Sequence, residues 1–249
     1  MPWSNPVAEE TVATIVFLVK FYENRVHADE FVGGRVFANR LSRYKKGPRG
    51  DFSGRTDPDE GTFLWAQPGR GQLIVNGMDI SGDLVAPIQM QKDWVNNLHV
   101  FCVHAANSGD VNLGSLSKAN VAALRGQLVI PDRCLTLGKH AVVIRDVPEF
   151  IRQMRAAARE KNYGIGWGRV KYYDPATFHG KFEDIESVFR KQSRFKFQRE
   201  FRFVINSNST GDCPLTMNIG NLSDITMRFR ASELRGDGWL QQLEIRETP

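Results

Sequence analysis

Hydrophobic side chains fall along this chain mostly in short runs rich in Val, Ile and Phe, broken by Gly, Pro, Asn and Asp. That pattern predicts many strands and few helices. The runs are "TIVFLVKF", "RVFANRL", "TFLWAQ", "QLIVNG", "HVFCVHA", "HAVVIRD", "RVKYYD", "EFRFVIN", "ITMRFRA" and "QLEIRE". Helical spacing is clear in "DVPEFIRQMRAAAREKN", where Asp146 and Glu149 stand at capping-box spacing and Phe150, Ile151, Met154 and Ala158 share a face. Shorter helices are expected in "RVHADEFV", closed by Gly33 and Gly34, in "SKANVAALR", closed by Gly126, and in "KFEDIESVFRK". The expected fold class is α+β, a strand-rich core with a few flanking helices.

No internal repeat, low-complexity tract or Pro-, Gly- or Ser-rich linker cuts the sequence, so residues 1–249 read as a single domain. A hydrophobic content of 41% is enough for a sizeable core. The longest stretch without periodicity is "KKGPRGDFSGRTDPDEG", and loops of such length in compact domains are commonly functional or mobile.

Lys and Arg number 33 against 28 Asp and Glu, a formal net charge of +5 that permits a polyanionic partner without requiring one. Three cysteines lie far apart with no C-x-x-C spacing, which suits a reducing, cytoplasmic setting. The apolar run "VATIVFLV" is too short to span a bilayer and lacks the flanks of a signal peptide, so no membrane association is expected.

Several motif-like signals carry little chemistry. "YGIGWGR" follows a helix instead of joining a strand to one, so it fails as a dinucleotide-binding fingerprint. His99 and His104 lie an odd number of residues apart in a predicted strand and face opposite sides, and His140 and His179 lack ligand-spaced neighbours. No metal site is expected. Cys102, inside an apolar strand, reads as a small buried hydrophobe, and Arg152, Arg155 and Arg159 read as the solvated face of their helix or, alternatively, as a phosphate contact. "GRTDPDEG" is either a turn capped by its own carboxylates or a pocket border carrying Arg55 and Glu60.

The stretch "FKFQREFRF" alternates aromatic and polar residues. On a strand, Phe195, Phe197, Phe201, Phe203 and Ile205 line one face, while Gln198, Glu200 and Arg202 line the other. The polar row is either the solvated side of an edge strand or a reaction centre.

"FxxQxE" on a strand resembles the Q-x-E element of the ADP-ribosyltransferase superfamily, matched here by Gln198 and Glu200. The segments "KFYENRVHADEFVGGRVFANRLSRYKK", "RTDPDEG", "HVFCVHA" and "FRKQSRFKFQREFRF" also resemble, in order, a bacterial family associated with phage resistance, whose members look like remote ADP-ribosyltransferases. The resemblance implies a split or mixed β-sheet of that type and NAD as substrate. It implies Glu200 as the catalytic carboxylate and Gln198 as the amide that orients the acceptor group for in-line attack. Where the superfamily's first motif has Arg or His, this chain has Lys20 or Tyr22; Ser42 or Tyr44 stands near the second motif. Lys20, Arg40 or Arg55 would meet the diphosphate, Tyr22 or Tyr44 would stack on nicotinamide, and Arg202 would keep Glu200 ionised.

The expected function is therefore an NAD-dependent ADP-ribosyltransferase, a toxin or anti-phage effector acting on a macromolecule. The basic excess, the arginine stripe on the long helix and "SRYKKGPRG" favour nucleic acid as acceptor, and a toxin implies an antitoxin protein as partner. The alternatives are a non-catalytic nucleic-acid-binding module with a solvated Gln198, Glu200 and Arg202 row, or a metal-dependent nuclease using the "TDPDEG" carboxylates.

Overall fold

Six of the apolar runs join two further strands in one eight-stranded antiparallel sheet, while "TFLWAQ", "QLIVNG" and "RVKYYD" pair in small separate sheets, in a computed structural model that describes residues 14–46, 54–72, 74–114 and 117–243. Its strands are β1 (Ile15–Tyr22), β2 (Arg35–Arg40), β3 (His99–Asn107), β4 (His140–Ile144), β5 (Gly164–Arg169), β6 (Glu200–Asn206), β7 (Leu215–Asn218) and β8 (Thr226–Arg230). The order runs β7, β2, β3, β1, β4, β8, with β6 also paired to β3 and β5 to β6. The class is mixed α+β, as the hydrophobic pattern predicts.

Helices α1 (Arg25–Val32) and α5 (Val147–Glu160) cover one face. Phe31, Phe150 and Met154 interlock there with Leu18, Phe101, Phe203 and Ile205 of the strands. Asp146 caps α5 by accepting a hydrogen bond from the Glu149 backbone amide at 2.9 Å. The opposite face carries two separate apolar clusters. Helices α3 (Lys118–Leu128) and α4 (Asp132–Leu135) pack over Phe17, Val19 and Ala106. Helix α2 (Leu41–Lys45) and the turn at Val188 and Phe189 pack over Val100 and Val204. Between these clusters the same face of β3 presents Cys102 and His104, so apolar packing is interrupted there.

The sheet is split at the same place. One edge of β3 pairs continuously with β6 from His99 to His104. Its other edge is shared, with β2 pairing only at Val100 and His99 and β1 only from His104 to Asn107. Past Val19, β1 stays on β4 through Tyr22 and leaves β3. Residues 101–103 therefore have no strand partner on that edge, and a cleft opens between β1 and β2.

Several expectations need correction. Strand geometry begins at Glu200; Phe195 and Phe197 lie in a 3-10 turn, Ser193–Gln198. "YGIGWGR" supplies β5, whose Gly168 and Gly166 lie opposite Arg202 and Val204, leaving that side of the sheet bare for a further layer of chain. Helix α3 runs through Gly126 to Leu128, "KFEDIESVFRK" forms a 3-10 turn at Asp184–Phe189, and "QLIVNG" yields only the two-residue strand Ile74–Val75. "QLEIRE" extends past the described residues, and its described start closes a 3-10 turn, Gly238–Gln242. Among the described residues no helix is long and apolar enough to cross a membrane.

Candidate functional site

The split holds a cavity of about 960 Å³. Its wall takes side chains from the freed end of β1, from the outward face of β2, from Cys102 to His104 of β3, and from Gln198, Glu200 and Arg202. Among the described residues lining it, seven are Lys or Arg and three are Glu, so the space favours an anionic occupant. Where the β1 ladder ends, the Lys20 ammonium donates to the Cys102 carbonyl at 2.8 Å and lies 4.6 Å from the centre of the Phe101 ring. It thus replaces a missing strand partner, and burial pushes its pKa down.

Glu200 is not on a wet face. It is 5% exposed, and its carboxylate belongs to a buried two-cation, two-carboxylate cluster. Arg202 grips Glu200 Oε1 with Nε at 2.7 Å and Nη2 at 2.6 Å, while its Nη1 reaches Glu60 Oε1 at 2.7 Å and also meets the Val188 carbonyl. Lys191 Nζ lies 2.9 Å from Glu200 Oε2 and 3.6 Å from Glu60 Oε2. Burial alone would push the Glu200 carboxyl up; Arg202 and then Lys191 outweigh it and hold the group well below the usual carboxylate range. The expectation that Arg202 keeps Glu200 ionised thus has a geometric basis. The sequence pattern gives Lys191 no role. It arrives through a parallel pairing of Arg190–Gln192 with Lys171–Tyr173, a long-range contact without a local sequence signal.

Gln198 and Glu200 reach one cavity by a different route from strand alternation. Arg199 between them adopts φ 41° and ψ 48°, the left-handed region, at a typical cost of about 1–2 kcal/mol for a residue with a side chain. This turn aims both neighbours at the cleft as the 3-10 segment becomes β6. The Gln198 amide is engaged at both ends: Oε1 accepts from Lys191 at 3.0 Å, and Nε2 donates to the Gly54 carbonyl at 2.6 Å. Gly54 has φ +78°, and an added Cβ would stand 3.0 Å from that Nε2, so glycine is required where the loop touches Gln198.

Of the remaining residues singled out from the sequence, Lys20, Tyr22, Tyr44 and Arg55 line the cavity, whereas Arg40 and Ser42 do not. Along β2, Arg35, Phe37 and Asn39 face the cleft and Val36 and Ala38 face the core, so Arg40 falls on the other side. It is buried and spends its guanidinium on the carbonyls of Asn97, Cys213, Ser209 and Thr210. A diphosphate contact by Arg40 is not available in this arrangement. Burial raises the phenol pKa of both Tyr22 and Tyr44, so both are neutral, flat walls. Arg55 reaches the Leu137 carbonyl at 3.1 Å and Glu23 at 3.5 Å, at the cavity's outer edge.

Alternation puts His99 and His104 on opposite faces without a shared ligand, yet His104 lines the cavity and is 4% exposed. Its Nδ1 lies 2.9 Å from the Gln198 carbonyl, which only accepts, so Nδ1 carries the proton and Nε2 is bare. Nε2 has no hydrogen-bond partner, and burial pushes the imidazole down to about 4, leaving a neutral acceptor at the base of the cleft. Cys102 lines the same wall; burial, then Glu200, pushes its thiol up to about 12, so it is no thiolate nucleophile at neutral pH.

The "GRTDPDEG" loop matches both of its readings in part. Asp57 Oδ1 accepts from the Asp59 amide at 3.1 Å, a turn capped by its own carboxylate, while Arg55 and Thr56 border the cavity and Glu60 anchors Arg202 behind it. Among the described residues, no group of three or more His, Cys, Asp or Glu side chains is placed to hold a metal ion. The stretch Gly47–Gly50 of "SRYKKGPRG" lies outside the described residues. On α5, Arg152 pairs with Glu149 and Arg155 lies over the Trp167 ring.

No protein-family model matches this chain, and neither the curated proteins nor the solved structures give a match.

Proposed function

We propose that the cleft binds NAD and that the protein is an ADP-ribosyltransferase, a toxin or anti-phage effector whose acceptor is a macromolecule, nucleic acid being favoured. The observation that carries this reading is the convergence of Glu200 and Gln198 on one cationic cavity at a split in the sheet, as the Q-x-E resemblance requires. The excess of Lys and Arg on the wall suits the diphosphate, with Lys20 on the inner wall and Arg55 at the edge. Tyr22 and Tyr44 offer flat surfaces to the nicotinamide ring.

In the reaction, the bond between ribose C1′ and nicotinamide nitrogen breaks with its electron pair leaving on nicotinamide. The acceptor's lone pair forms the new bond to C1′, and the acceptor's proton passes to solvent or to a base. Positive charge builds on the ribose meanwhile, as in glycoside hydrolysis, and an ionised carboxylate stabilises it. A carboxylate offers about four lone-pair sites. Lys191 and Arg202 take three of those on Glu200, which leaves one for a ribose hydroxyl. Gln198 acts by holding Lys191 and the loop at Gly54 in place.

One observation favours a purely binding role instead: the strong contacts of Glu200 all go to the protein's own cations, as a structural cluster would have them. Incubating wild type and Glu200→Gln with labelled NAD and total RNA, DNA or lysate separates the two. Transfer should appear with wild type and fall on the order of 10²–10³-fold in the variant, with NAD affinity nearly kept. Intact NAD and no label on any acceptor with wild type would end the transferase reading.

A further inference from the structure

A polar row on β2 borders the mouth of the cleft. Arg35, Phe37 and Asn39 occupy alternate positions and therefore project from the same side of the strand. Phe37 is 50% exposed, although Val36 and Ala38 on either side of it are buried in the core. A scattered exposed apolar side chain is ordinary on a protein surface. This one stands on the wall of a cationic cavity, and strand pairing fixes its backbone opposite Thr216 of β7.

The cations around it are accessible. Arg43 on α2 is exposed, lines the cavity and has no side-chain partner among the described residues. Arg35 pairs with Glu30 at 2.7 Å and Lys46 with Asp212 at 3.2 Å, but both pairs are solvent-exposed, and such pairs exchange readily for a phosphate. A flat aromatic ring set among arginines and a lysine is what an unpaired base and its flanking phosphates need. A duplex cannot use the ring, because its bases are already stacked and paired.

We propose that this lip of the cleft, Phe37 with Arg35, Arg43 and Lys46, binds single-stranded nucleic acid, Phe37 stacking on an unpaired base and the cations taking the backbone. The inference rests on the proposed function in naming this strand as the acceptor, but binding at the lip stands on its own observations. The strand would cross from α2 over β2, bringing one nucleotide to the cavity mouth.

Fluorescence anisotropy with short labelled oligonucleotides of mixed sequence tests it, in single-stranded RNA, single-stranded DNA and duplex arms. Wild type should bind at least one single-stranded arm more tightly than duplex. Phe37→Ala should weaken that binding about 5- to 100-fold, and Phe37→Tyr should restore it. Arg43→Ala should reduce the slope of log affinity against log salt by about one. Phe37 is half exposed, so its truncation should leave the melting temperature nearly unchanged, which a thermal melt checks. Duplex binding as tight as single-strand binding, no effect of Phe37→Ala, or no oligonucleotide binding by wild type would each overturn the inference. So would an equal loss of NAD affinity in Phe37→Ala, since the ring would then only support the cleft. A protein that binds single strands but neither binds nor cleaves NAD would uphold the lip and overturn the transferase reading; NAD cleavage without strand binding would do the reverse.

Discussion

Replacing Arg202 with Met keeps much of the side-chain volume and removes one guanidinium from a site that is 1% exposed. The consequence follows from what that group holds. Its Nε and Nη2 grip Glu200, its Nη1 grips Glu60, and the Val188 carbonyl also depends on it. Without it, two buried carboxylates share one ammonium, Lys191, at 2.9 and 3.6 Å. Breaking a buried pair from one side typically costs about 3–5 kcal/mol, because the abandoned charge stays desolvated. That is a large part of the roughly 5–15 kcal/mol that holds a typical protein folded. With a urea slope of about 3 kcal/mol per molar, the unfolding midpoint should fall by roughly 1–2 M, followed by tryptophan fluorescence.

The pH dependence separates charge from packing. In wild type, Glu200 has a depressed folded pKa, so its contribution is present above the unfolded carboxylate range and is lost as pH falls through the lower folded value. In the variant, the carboxylates sharing one ammonium favour the protonated form, a contribution lost as pH rises. The stability gap between the two proteins should therefore be wide at pH 8 and narrow toward pH 4. Adding Glu60→Gln restores one carboxylate to one ammonium and should recover about 1–3 kcal/mol. A loss below about 1 kcal/mol, or an equal gap at both ends of the pH range, would refute the reasoning.

Asp57 gives the opposite slope. Burial first, then Glu60, raises its carboxyl to about 6, and its Oδ2 has no hydrogen-bond partner. A raised folded pKa stabilises below the unfolded value and loses that contribution as pH rises to about 6. Asp57→Asn should remove this loss, so across that window wild type should weaken relative to the variant by up to about 3 kcal/mol in urea midpoints. Parallel curves would show that the group does not titrate in this range. Gly138 lies against β1, where an added Cβ would meet the Tyr22 carbonyl carbon and oxygen at 2.6 Å. Gly138→Ala should cost about 1–3 kcal/mol and lower the melting temperature by roughly 3–10 °C, measured by differential scanning fluorimetry.

How much of this was legible in sequence depended on the range of the interaction. Glu200–Asn206 and Arg25–Val32 coincide with strand and helix expectations because alternation and capping are local signals. Parity along Arg35–Arg40 already separates Arg40 from the cleft-facing Arg35 and Phe37, although its charge suits a diphosphate. The Q-x-E pair was legible as a pair, but its geometry was not. A left-handed Arg199, and not two strand positions, turns both side chains to the cavity. Lys191, Glu60 and the split itself are set by pairings between distant segments, which no local periodicity encodes.

The location of the costly features is informative on its own. A sheet that splits leaves residues 101–103 without a strand partner on one edge, and the part-buried Lys20 caps the Cys102 carbonyl there. The charge cluster behind it adds little stability over an apolar core of equal volume, since desolvation offsets most of its attraction. A left-handed non-glycine residue and a His104 nitrogen without a partner fall at the same spot. Single departures also occur elsewhere among the described residues, at left-handed Asn76, Asn162 and Asn208 and at the unpartnered Trp239 Nε1, so it is the open edge, the bare His104 acceptor and the preset charge together on one wall that suit a ligand.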